Sequence, residues 1–219
     1  MFDKLDKKLF AAVEANDVKQ INALIEQGAD IYADDGCGAT LLERAKTAEV
    51  AEALIANGAS LKNDECESEL FYVDIPEVVE ALIAHGADVN DKLLPYGETP
   101  LFMARSAAVA EMLIAHGADV NATAMNGETP LSRTCSAEVA KVLIEHGADV
   151  NARLPHGETP LFKTRSAEVA KVLIEHGADV NAVNDYGIPM INYAAPEIAD
   201  VVRTCLHGKM DAPNKTKKD

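Results

Sequence analysis

The chain has 219 residues, 48% of them hydrophobic and 5% aromatic, with no tryptophan and a formal net charge of −16. That is enough apolar material for one or two ordinary cores of close-packed aliphatic helices, while so acidic a field repels a phosphate backbone and argues against nucleic acid as a partner. No apolar run reaches membrane-spanning length and the start, MFDKLDKKLF, lacks the apolar stretch of a secretory leader; the expectation is a cytoplasmic chain with no membrane partner, export as an effector remaining open.

Two marks recur along the chain. A GAD or GAS tripeptide begins at Gly28, Gly58, Gly86, Gly117, Gly147 and Gly177. Between them, GETPL begins at Gly97, Gly127 and Gly157, with weaker forms GATLL at Gly38, CESEL at Cys66 and GIPMI at Gly187. The marks interleave with a period of about thirty residues, the signature of a repeat architecture. The expected organisation is a single repeat domain over 1–208: an N-terminal cap 1–32, units 33–62, 63–90, 91–121, 122–151 and 152–181, and a C-terminal cap 182–208. Lys4, Asp6, Lys7 and Lys8 make the first helix polar, as a terminal cap requires. The tail KMDAPNKTKKD, from residue 209, has the composition of a disordered segment.

Residues 127–156 carry the local chemistry of one unit. Thr129 followed by Pro130 suits an N-cap and first helical position: the hydroxyl accepts a free N–H, and proline lacks the N–H that would be unsatisfied there. A short helix then runs to about Cys135. Ser136 caps a second helix, and Glu138 places negative charge at its positive end. Val139, Ala140, Val142, Leu143 and Ile144 leave only a narrow polar stripe of Glu138, Lys141 and Glu145, so most of that helix must be buried. Gly147 ends it in a left-handed conformation, and ADVNARLPH leads through a hairpin-like excursion with its tip at 153–156. One such pair cannot bury its own apolar surface; stacked between neighbours it can.

GETPLFMAR, MLIAHGADVNA and VLIEHGADVNA resemble ankyrin repeats, whose signature joins T-P-L-H-x-A to a G-A-D-V-N turn. The resemblance spans roughly residues 5–208. It implies an all-α repeat solenoid of stacked helix-turn-helix pairs with projecting β-hairpin loops, and protein–protein recognition on the concave face. Similar short-turn arrays occur in bacterial ankyrin proteins. The units here run about thirty residues rather than 33, the shortening falling between the two helices. The histidine usual after TPL is replaced by Phe102, Ser132 and Phe162, so its hydrogen bonds must be lost or replaced. Unit three departs furthest: Gly58 to Cys66 is two residues short, Ser68-Glu69 replaces Thr-Pro, and Pro76 stands where Ser or Thr caps the other second helices. Pairing is therefore expected to be weakest across 62–97.

Two neighbouring units locate the variable positions. SAEVAKVLIEHGADVNA is spelled identically at 136–152 and 166–182, whereas the preceding thirteen residues differ at the hairpin tip and one flank of the first helix. Taking the x of T-P-L-H-x-A through the stack gives a row of Arg44, Tyr72, Met103, Arg133, Lys163 and Tyr193, residue types enriched in interface hot spots. These cations either meet a partner or balance nearby Glu98, Glu128 and Glu158. The hairpin tips supply Leu93, Leu94, Tyr96, Met125, Leu154, His156 and Tyr186, where exposed apolar groups need something to pack on. The longer tip DKLLPYG ranks first for direct contact.

Chemistry-bearing motifs do not appear. His85, His116, His146 and His176 recur just before the glycine, too far apart for one zinc and well placed to satisfy helix C-terminal carbonyls. Cys37, Cys66, Cys135 and Cys205 form no C-x-x-C pair; four reduced thiols are expected, a Cys37–Cys66 disulfide remaining conceivable. No metal, cofactor or catalytic constellation is expected. The reading is a non-catalytic monomeric module that binds a partner protein or peptide as adaptor, inhibitor or effector. The alternatives are an enzyme whose site is built across repeats and a toxin-neutralising, immunity-type protein.

Overall fold

A computed structural model describes residues 4–63 and 67–210. Cys66, and with it any Cys37–Cys66 pairing, lies outside the described residues, as does the expected disordered tail from 211 onward. Seven helix pairs follow one another: α1 (Lys4–Glu14) with α2 (Val18–Glu26); α3 (Leu41–Arg44) with α4 (Ala48–Ala56); a 3₁₀ turn (Glu69–Phe71) with α5 (Pro76–Ala84); α6 (Pro100–Met103) with α7 (Ala107–Ala115); α8 (Pro130–Arg133) with α9 (Ala137–Glu145); α10 (Pro160–Lys163) with α11 (Ala167–Glu175); and a 3₁₀ turn (Met190–Asn192) with α12 (Pro196–Met210). This is an all-α repeat solenoid, and no regular strand occurs among the described residues. Single antiparallel bridges, Lys62 with Ser68, Leu93 with Glu98 and Val183 with Pro189, close three of the hairpin excursions.

The chain forms two compact units, Met1–Asp119 and Val120–Asp219. In the first, α2, α4, α5 and α7 pack in succession. In the second, α9, α11 and α12 pack in succession, and α8 lies on α10.

Each pair sinks one apolar residue from its first element and one from its second, always twelve positions apart. The pairs are Leu9 and Ile21, Leu42 and Leu54, Leu70 and Leu82, Leu101 and Leu113, Leu131 and Leu143, Leu161 and Leu173, and Met190 and Val202, all buried. Burying each such side chain contributes about 1.5–3 kcal/mol. Unit three keeps this spacing because its missing residues lie before Ser68, in the hairpin. The outlying α5 buries Val78, Val79 and Leu82 and lies against both α4 and α7.

The helix ends follow the sequence reading at several places and depart from it at Pro76 and at His85, which meets Glu52 at 2.7 Å. Ser136 and Ser166 accept from the N–H groups of Val139 and Val169, each at 3.3 Å. Gly147 takes φ +91°, letting Ala148 N–H reach the Leu143 carbonyl at 2.8 Å, a Schellman closure. The His176 Nδ1–H donates to the Val172 carbonyl at 2.7 Å, the expected terminal role. Pro76, however, is the first helical residue of α5 and not its cap; the cap is Ile75, which has no side chain to offer the free N–H groups.

A polar ladder ties successive hairpins. Asn90 donates to the Gly117 carbonyl and accepts from Asp119 N–H, both at 2.9 Å. In the second unit Asn121 does the same with Gly147 and Asp149, at 3.0 and 3.0 Å, and Asn151 with Gly177 and Asp179, at 3.0 and 2.8 Å. The corresponding positions of the first two repeats hold Tyr32 and Lys62, and Lys62 instead meets Asp91 at 2.7 Å.

The replaced histidine leaves a measurable mark. In α8, Ser132 closes a capping box: Thr129 Oγ1 accepts Ser132 N–H at 3.3 Å, and Ser132 Oγ accepts Thr129 N–H at 2.9 Å. With Phe102 and Phe162 at that place, the buried hydroxyls of Thr99 and Thr159 have no hydrogen-bond partner among the described residues. An orphaned buried hydroxyl costs about 1–3 kcal/mol. Thr129→Val should therefore lower unfolding stability in urea by about 1–2 kcal/mol, while Thr159→Val at the equivalent site should leave it unchanged or raised. Equal losses at both positions would contradict this account.

Candidate interaction surface

Among the described residues, the large hydrophobic side chains most exposed are Tyr32, Tyr72, Leu94, Tyr96, Met125, Val183, Tyr186 and Tyr193. All eight sit on hairpin excursions or at the ends of the short first elements. The long second helices expose Glu49, Glu52, Glu77, Glu80, Glu111, Glu138 and Glu168 instead. Among the described residues, large apolar groups are thus exposed at the turns and short elements and not along the second helices.

In the first unit, Arg44 at the end of α3 pairs with Asp35. The Cys37 backbone N–H, followed by the Arg44 guanidinium, holds the Asp35 carboxyl below the usual carboxylate range. Tyr72 follows the 3₁₀ turn and donates its hydroxyl to Glu67; burial, then the Glu67 contact, pushes the phenol up to about 12. Met103 is half-buried at the end of α6. The DKLLPYG tip presents Leu94 and Tyr96, 70% and 61% exposed, whereas Leu93 is half-buried and donates its N–H to Glu98 at 2.8 Å.

In the second unit the cations of the row are matched by carboxylates. Lys163 lies 3.2 Å from Glu128 and 3.5 Å from Glu158, and Arg133 lies 3.6 Å from Glu128. Partial burial pushes the Glu128 carboxyl up, but hydrogen bonds from Lys163 and Asn126 outweigh it and hold it below its usual value. Arg133 and Lys163 thus each lie within ion-pair distance of a carboxylate. Tyr193 remains 55% exposed and its ring tilts against Phe162, centroids 6.3 Å apart. At the tips, Met125 is 74% exposed, and His156 stacks on Tyr186 with centroids 6.1 Å apart. Leu154 departs from expectation. It is 4% exposed, its N–H bonded to the Glu158 carbonyl at 2.9 Å; it roots its hairpin in the core, and the exposed tip is Pro155 and His156, the latter with φ +63°.

The family assignment rests on a comparison that agrees with this geometry. A family model for ankyrin repeats, in three copies, matches residues 71–154 and 106–184. The chain belongs to the ankyrin repeat family. The ankyrin repeat domain of Bcl-3, described as a unique member of the IkappaB protein family, superposes with a TM-score of 0.64 at 22% identity, covering 89% of this chain and 97% of that one. The human ASB11 ankyrin repeat domain gives 0.71 at 23% identity, covering 90% and 96%. No curated protein matches the chain. At these identities the likeness speaks for the ankyrin fold alone.

Sequence reasoning marked Ser68-Glu69 as a departure from Thr-Pro but gave Glu69 no role. It stands at the first position of the 3₁₀ turn, where Pro100, Pro130 and Pro160 stand in later repeats, and it is 1% exposed. Among the described residues its hydrogen-bond donor is the Thr40 hydroxyl, at 3.0 Å. Burial raises its carboxyl to about 7 despite that bond, with the charge of Glu43 adding to the effect. The signal was available in the alignment of the repeats, as an ionisable side chain in a proline's place. Because the folded protein holds this proton more tightly than the unfolded chain, stability should fall as pH rises from about 4.5 to 7. Glu69→Gln should flatten that slope and raise stability at pH 8 by on the order of 1–3 kcal/mol, with the two proteins alike below pH 4. A parallel slope in the variant, read by urea melts across pH, would refute the assignment.

Proposed function

We propose that the chain is a non-catalytic recognition module that holds a partner protein or peptide against its hairpin tips and short first helices. The observation that carries this is the segregation of exposed apolar groups: among the described residues every large one lies on a hairpin excursion or at the end of a short first element, and none on a second helix. Ankyrin repeat domains are generally protein-interaction modules, which agrees with it. Tyr and Met at such positions supply large contact area at small entropic cost.

The contact set in the first unit is Leu93, Leu94, Tyr96, Tyr72, Met103 and Arg44. In the second it is Met125, His156, Tyr186 and Tyr193, with Arg133 and Lys163 as a rim that gives orientation more than affinity, since Glu128 and Glu158 already satisfy them. Leu154 leaves the set because it is buried.

Two exposed-residue pairs test this without disturbing the core: Leu94→Ser/Tyr96→Ser and Tyr186→Ser/Tyr193→Ser. Binding of the protein captured from source lysate by the wild type should weaken tenfold or more for at least one pair, roughly the worth of one hot-spot residue. The outer-helix control Glu138→Ala/Glu145→Ala should bind as wild type. Loss in the control, with both hairpin pairs unaffected, would place recognition on the other side.

A further inference from the structure

The first compact unit contains a cleft of about 760 Å³ between its first two hairpins, walled by Tyr32, Asp34, Thr40, Glu43, Lys62, Glu69 and Tyr72. That volume lies in the range of small-ligand sites. Three departures from the chain's own repeat pattern converge on it. Tyr32 stands where an asparagine elsewhere reaches the next turn, and Lys62 holds the same place in the following repeat; both line the cleft. Glu69 replaces the proline of later repeats and sets a buried carboxyl in the wall. A fourth position agrees with them: Glu43 stands where Phe102, Ser132 and Phe162 stand, so a second carboxyl faces the same space.

The balance of charge decides what the cleft can hold. Asp34, Glu43 and Glu69 line it, and the single lysine, Lys62, is drawn off by Asp91 at 2.7 Å. The Arg44 guanidinium beside it is taken by Asp35. Two tyrosine rings complete the wall, and an aromatic face attracts a desolvated cation. A buried carboxyl with one hydroxyl donor is a poor structural element, since two or three donors are usual for such a group. It is a good receptor for an incoming N⁺–H.

We propose that this cleft binds an alkylammonium group, with Glu69 as its charged acceptor, Glu43 as the second carboxylate and Tyr32 and Tyr72 as aromatic walls. The group is supplied either by a lysine side chain or by a free polyamine. The proposal shares Tyr72 with the partner-contact set but rests on Glu69 and the cleft, so Glu69→Gln tests it and leaves the hairpin-tip reading to its own variants. Binding of the cation favours the ionised form of Glu69, so it releases a proton near neutral pH, and affinity rises with pH through about 7. The other groups around the cleft modulate this without reversing it: Glu43 from α3 adds negative charge beside Glu69, Asp34 lines the same wall, and Lys62 meets Asp91.

The full-length protein is titrated by ¹H–¹⁵N correlation spectroscopy with three probes: spermidine, the blocked tripeptide Ala-Lys-Ala, and the same tripeptide with norleucine for lysine. Saturable shifts confined to 31–43, 59–63 and 69–72 with the two ammonium probes, and none with norleucine, are expected. Whichever of the two binds more tightly identifies the source of the cation. Glu69→Gln should weaken binding about tenfold or more, the worth of a charge-assisted hydrogen bond, while stabilising the fold at pH 8; loss of binding in a more stable protein is not loss of structure. Glu43→Gln, at a half-buried position, should weaken it less. Absence of shifts with both ammonium probes, equal binding of the norleucine peptide, or wild-type affinity in Glu69→Gln each overturns the proposal.

Discussion

The fold depends on one repeated burial: an apolar side chain from each short first element and another, twelve residues later, from the helix that follows. A four-residue helix such as α8 has too few hydrogen bonds to persist alone, and a nine-residue helix such as α9 is little better. They persist because Leu131 and Leu143 reach water-free surroundings that only the adjacent pairs can supply. The spacing is therefore inflexible, and everything outside it is free to change. Unit three shows this directly, since its lost residues, exchanged cap and substituted proline all lie at hairpin or helix start, and Leu70 and Leu82 are still buried.

A second, polar constraint acts across the first. Asn90, Asn121 and Asn151 each satisfy a carbonyl and an N–H of the following turn, holding the hairpins at fixed separation where they occur. In the first two repeats Tyr32 and Lys62 stand at that place, Lys62 meets Asp91 instead, and the first two hairpins enclose space. Glu69 in that space raises the free energy of the native state, because burial opposes its charge. A residue that weakens the fold in this way, at the place where the ladder is interrupted, fits the common finding that binding sites depart from the rules that stabilise the rest of a structure.

Electrostatics and apolar exposure separate by side. Arg44, Arg133 and Lys163 are cations on an acidic protein, yet each meets a carboxylate within its own compact unit. Ion pairs so exposed contribute little to stability; they leave Leu94 and Tyr96 in the first unit, and Met125 and Tyr186 in the second, as the most exposed large apolar groups of their turns.

The repeat, its period, the caps at Thr129 and Ser136 and the glycine closures were legible in the amino-acid order, because they depend on contacts among residues a few positions apart. The row Arg44, Tyr72, Met103, Arg133, Lys163 and Tyr193 was legible as positions, and its charges were not, because Glu128 meets Lys163 only after two hairpins fold side by side. Leu154 looked exposed from its place at a turn, and its burial depends on how that turn roots itself in the core. The acidic cleft at Glu69 likewise needed tertiary structure, since its walls come from residues some forty positions apart. Local hydrogen bonding and periodic burial are written in sequence. The pairing of distant charges and the spaces left between hairpins are decided by packing.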